Sequence, residues 1–87
     1  MSLELCITNI EVWGAEPQDE LLGEALDAAS IPWWGVSPGI DPRDGMINVT
    51  LPREMTLEEA CSWLKGIVNP KLLEGVEYDL YDLDNGS

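Results

Sequence analysis

Carboxylates are the reactive groups this chain carries in quantity. Of its 87 residues, 17 are Asp or Glu, 4 are Lys or Arg and none is His, for a formal net charge of −13. Without His the commonest general base and the commonest metal-binding side chain are both missing, which excludes Ser-His-Asp triads and His-based zinc sites. Catalysis would rest on carboxylates alone, and no spacing forces two of them into a close acid–base pair. The reading is therefore a non-enzymatic protein with no cofactor and no metal. Glu20, Glu24 and Asp27 repeat like charge at i, i+4 and i+7 along one side of a helix, at a cost of about a few tenths of a kcal/mol per pair. Glu16 and Asp19 precede them, and Glu77, Asp79 and Asp82 stand near the other end. These are the candidate partner-binding charges, and what they can do is meet Lys and Arg.

The charge is unevenly placed. Glu4, Glu11, Glu16, Asp19, Glu20, Glu24, Asp27 and Asp41 all precede the first basic residue, Arg43. Asp44, Glu54, Glu58 and Glu59 then balance Arg43, Arg53, Lys65 and Lys71, after which Glu74, Glu77, Asp79, Asp82 and Asp84 follow without a base. The excess comes from two flanks around a neutral middle. Such a chain repels phosphate, so direct nucleic-acid binding and docking to anionic membranes are not expected. Solubility alone needs a net charge of only about 2–8 in magnitude, normally with both signs interspersed. Two readings stand: a solvated face, or a surface selected to meet positive charge.

Trp33-Trp34-Gly35 is the second unusual feature, in a chain with four Trp and no Phe. Neighbours on a strand point to opposite faces, so one ring is expected in the core and the other outside, as an apolar anchor for a partner. Trp13 and Trp63 are expected in the core or at its rim. Cys6 and Cys61 read as two reduced thiols in apolar surroundings, with a disulfide left open. Asp82-Leu83-Asp84-Asn85-Gly86 has the alternating oxygens that open a calcium loop, but no Glu at the twelfth position, and is expected to be an acidic terminus instead. The glycines lack phosphate-loop spacing.

The elements that must position these residues follow from periodicity. Residues 3–13 read as a strand buried at its centre. Pro17 suits a first helical turn, and Leu22, Ala25, Leu26 and Ala29 make the apolar stripe of a helix over residues 17–29. Residues 32–37, with Pro32 and Gly35, suit an edge strand. A turn at 41–45 leads to an alternating strand over 46–51. Thr56-Leu57-Glu58-Glu59 fits a capping box, with Met55 and Ala60 placed as a staple. The helix it starts buries Leu57, Ala60, Cys61, Leu64, Ile67 and Val68, and stops before Asn69-Pro70. Val76, Tyr78 and Leu80 alternate with Glu77, Asp79 and Tyr81 as a last strand that ends or bulges at Asp82. Strand, helix, strand, strand, helix, strand closes as one α+β domain over residues 1–87, a ferredoxin-like βαββαβ fold whose four-stranded antiparallel sheet has both helices on one face. In that topology the first helix and last strand lie toward different sides, so their charges need not merge.

Ferredoxin-like domains include acylphosphatases and RNA-binding modules, but this chain has neither an Arg-bearing glycine loop nor a basic aromatic motif. Its small size, extreme acidity, unpaired helix carboxylates and outward aromatic ring instead resemble small phage-encoded inhibitors, including DNA-mimic anti-CRISPR and anti-restriction proteins. That resemblance implies a partner whose basic surface otherwise holds nucleic acid, bound by carboxylates in place of phosphates. The alternative is a subunit or immunity-type module that binds through a sheet edge or the Trp surface, with acidity serving solubility. No basic stretch followed by an apolar one opens the sequence, and no run of about 18 apolar residues occurs, so a cytoplasmic protein is expected.

Overall fold

The computed structural model describes residues 3–36 and 40–82. Its strands are β1 (Leu3–Ile10), β2 (Trp33–Val36), β3 (Gly45–Thr50) and β4 (Glu77–Asp82), and its α-helices are α1 (Gln18–Ala28) and α2 (Leu57–Lys65). One antiparallel sheet orders the strands β2-β3-β1-β4, which is the ferredoxin-like arrangement. Ser37, Asp84 and the rest of the calcium-loop-like run after Asp82 lie outside the described residues.

Register divides the sheet into two faces. Leu5 stands opposite Val49 and Leu80, and Ile7 opposite Ile47 and Tyr78. These residues share one hydrophobic cluster with Leu22 and Leu26 of α1 and with Ala60 and Leu64 of α2, so both helices cover the same face. Burying one such Leu or Ile side chain contributes about 1.5–3 kcal/mol. The opposite face carries Cys6 between Asn48 and Asp79, and Glu4 between Thr50 and Tyr81. Among the described residues no helix packs over it.

The strand edges differ from the sequence expectations for local reasons. β1 stops at Ile10 because Asn9 takes a left-handed conformation (φ 59°) and the pairing with β3 shifts between Ile7 and Ile10, a bulge that turns the chain out of the sheet. Trp13, expected in the core or at its rim, lies beyond that turn and is 51% exposed. Pro17 is the residue before α1 rather than in its first turn (φ −65°, ψ 141°). α2 has its capping box: Glu59 N donates to Thr56 Oγ1 (3.2 Å) and Thr56 N to Glu59 Oε1 (3.1 Å). Those bonds hold the Glu59 carboxyl below its ordinary pKa. Leu57, expected in the buried stripe, is exposed, since the first helical position still faces the incoming loop. The stripe continues past α2 through Val68 to a short 3-10 turn at Pro70–Leu73, started by Asn69 accepting from Lys71 N (3.0 Å). Cys6 and Cys61 are both free thiols, on opposite sides of the sheet.

Candidate functional site

Trp33 walls a recess between α1 and the edge strand. Its ring turns to the helix-covered face, opposite Val49, and packs against the core. Two glycines make room for it. A Cβ on Gly23, in the middle of α1, would lie 2.8 Å from Trp33 Cζ2 and 2.9 Å from Cη2, and one on Gly35 would lie 3.3 Å from Cζ3. The indole is thus held between helix and edge strand, and its Nε1 donates to Asp27 Oδ1 (2.9 Å) at the last turn of α1.

The helix and β2 leave between them a groove of about 370 Å³. Asp19, Glu20, Glu24 and Asp27 rim it, while Trp33, Gly35, Val36, Met46 and Ile47 supply an apolar floor and outer wall. Asp19 accepts from Glu20 N within the first helical turn (2.9 Å). The Glu20 and Glu24 carboxylates have no hydrogen-bond or ion-pair partner among the described residues. Four of the candidate acids and one candidate Trp therefore converge on one concave surface.

The remaining candidates lie elsewhere. Glu16 lines a smaller recess with Glu11, Glu74, Arg43 and Lys71, apart from the groove. Next to it Gln18 ties three segments together, accepting from Glu11 N (2.9 Å) and donating to Leu72 O (2.6 Å) and Glu74 O (3.1 Å), with Arg43 Nη2 also donating to Glu74 O (3.0 Å). Glu77 and Asp79 stand on the open face of the sheet, opposite Thr8 and Cys6. Asp82 pairs with Leu3 and so turns toward the covered face. Glu77 and Asp79 do not merge with the acids of α1, because the sheet separates them.

Trp34 is the outward ring, 49% exposed, and its partner is a residue the sequence reading did not single out. Glu4 is only 6% exposed although it lies on the open face, and both its oxygens accept from Trp34 Nε1 (3.0 and 3.3 Å). Beside it Asn48 is 2% exposed, and its Oδ1 has no hydrogen-bond partner among the described residues. Burial pushes the Cys6 thiol pKa up, partly opposed by a hydrogen bond from the Tyr81 hydroxyl. Tyr81 is raised in turn, chiefly by the Cys6 and Asp79 charges. Trp34 and Tyr81 thus cover a polar row that alternation alone places in solvent.

Among the described residues, no group of three or more His, Cys, Asp or Glu gathers as metal ligands, and no helix is long and apolar enough to cross a membrane. The groove holds carboxylates over apolar surface and can bind a cationic, partly apolar group. No protein-family model matches the chain, and comparison with curated proteins and with solved structures returns no significant match.

Proposed function

We propose that this protein is a small non-enzymatic binding protein that occupies the basic, nucleic-acid-binding surface of a partner protein in the cytoplasm, as an anti-CRISPR or anti-restriction DNA mimic does. One observation carries the reading: Asp19, Glu20, Glu24 and Asp27 gather on the rim of a single groove, with two of the carboxylates unpaired and an indole in its wall. Like charges held together without counter-charge lower stability, and a partner's Lys and Arg side chains relieve that repulsion on binding. Long-range attraction speeds the encounter, and the Trp33, Val36 and Met46 surface adds apolar burial once the surfaces meet.

The alternative, an interaction module binding through its Trp surface, is favoured by the half-exposed Trp34 and Tyr81 on the open face. One experiment separates the two. The protein is immobilised and used to capture partners from cell extract, alongside Glu20/Glu24/Asp27→Lys and Trp34→Ala variants. The proposal expects charge reversal to abolish capture and Trp34→Ala to leave most of it. The opposite pattern transfers the function to the open face.

A further inference from the structure

We infer that the outer edge of β2 takes up an extended basic segment of the partner as a fifth strand, with Lys or Arg at every second position facing α1. The inference rests on the proposed function and names how the groove engages its target. It starts from the hydrogen-bond phase of the sheet. Thr50 N donates to Pro32 O (3.0 Å), and Leu51 N donates to Leu3 O (3.0 Å). With Trp34 opposite Asn48 and Val36 opposite Met46, that phase makes positions 32, 34 and 36 the residues whose backbone groups turn inward to β3. Trp33 and Gly35 therefore present their N–H and C=O groups outward, at an edge where no described strand pairs with them.

Three features of this edge point to a basic occupant. The groove opens along it, so side chains on the helix side of an added strand meet Asp19, Glu20, Glu24 and Asp27. The spacings agree: from Asp19 to Asp27 along α1 is about 12 Å at about 1.5 Å per residue, and three alternate strand positions span about 13 Å. Side chains on the other side of the added strand meet Trp34 and Val36, which are both exposed and apolar. The pattern read by the edge is therefore basic, apolar, basic, apolar. A second copy of this chain does not fit, since pairing two β2 edges brings two acidic rows together in molecules of net charge −13. An acid-flanked edge repels acidic strands and favours a cationic one over a neutral one.

The test uses synthetic peptides and the intact protein. The probe is acetyl-Lys-Val-Arg-Val-Lys-Val-Arg-amide, compared with a blocked order of the same residues and with two versions N-methylated either on the basic residues or on the valines. The alternating peptide should bind about tenfold or more tighter than the blocked one, and only one of the two N-methyl sets should cost about tenfold. In the same titration the Trp33 and Gly35 amide protons, exchanging freely beforehand, should become protected, whereas those of Trp34 and Val36 are protected throughout. Equal binding of alternating and blocked peptides, lost in Glu20/Glu24/Asp27→Lys, overturns strand addition and leaves the acidic groove standing. Binding of neither peptide overturns both.

Discussion

Replacing Gly23 by Ala tests the construction of the groove, because two opposed effects meet there. In a helix interior Ala is favoured over Gly by about 0.8–1.0 kcal/mol, so on propensity alone the substitution stabilises. The added methyl, however, would stand 2.8 and 2.9 Å from two atoms of the Trp33 ring. An indole is rigid and moves as one piece, and this one is backed by Gly35 and the core. Overpacking of this kind costs about 1–3 kcal/mol. Losing the Trp33–Asp27 hydrogen bond adds about 0.5–1.5 kcal/mol. The net expectation is destabilisation by about 0.5–3.7 kcal/mol, or a fall in Tm of at least about 2 °C for a domain of this size. Thermal melts followed by circular dichroism give the stability, and the NMR shift of the Trp33 indole N–H reports displacement of the ring. In a Trp33→Ala background the sign should reverse, with Gly23→Ala stabilising by about 0.8–1.0 kcal/mol, since only the propensity effect remains. A single Gly23→Ala variant that melts higher than the parent, with the Trp33 indole signal unmoved, would refute the packing described.

Other outcomes follow from single contacts. Thr56→Ala removes the hydroxyl that accepts from Glu59 N and should cost about 1 kcal/mol in urea unfolding. Because Glu59 is held below its ordinary pKa in the folded state, its contribution is present above the unfolded value and is lost as pH falls through the folded one, so the gap between parent and Thr56→Ala should narrow in acid. Trp34→Phe removes the donor to a buried Glu4 and should cost about 1–3 kcal/mol in urea unfolding. Burial raises the pKa of both thiols, so accessibility decides: brief iodoacetamide treatment, read by peptide mass spectrometry, should label half-buried Cys61 before buried Cys6, and preferential labelling of Cys6 contradicts that placement.

The fold was legible because its signals are local and agree. The capping box of Thr56 and Glu59, the alternation in β3 and β4, and the proline and glycine of β2 each specify an element, and the element order then leaves few ways to close a sheet. That one Trp ring turns inward and its neighbour outward follows from strand alternation; that Trp33 is the inward one depends on the register with Val49 and on the packing of α1. Trp13 and Leu57 were misplaced because each lies just past an element boundary, where a bulge at Asn9 and an incoming loop decide direction. The candidate site was half legible. Glu20, Glu24 and Asp27 share a helix face by periodicity, but their meeting with Trp33 depends on how helix and edge strand pack. Gly23 is the one local sign of that packing, a helix-weakening residue beneath the indole. Glu4 was not singled out because its burial comes from Trp34 folding across strands, a contact thirty residues away in sequence. Asp79 and Glu77 could be put on one strand but not on a common surface with α1, since the sheet itself stands between them.

The central claim is that these carboxylates take the place of phosphates on a partner's basic surface. Competition for the captured partner tests it most directly: labelled duplex DNA and single-stranded RNA are bound to that partner, this protein is titrated in, and the series is repeated at rising salt. Displacement of the nucleic acid with no ternary complex is expected, weakening steeply as salt screens the charges, and absent for Glu20/Glu24/Asp27→Lys. A stable ternary complex, or displacement indifferent to salt and to charge reversal, would contradict it.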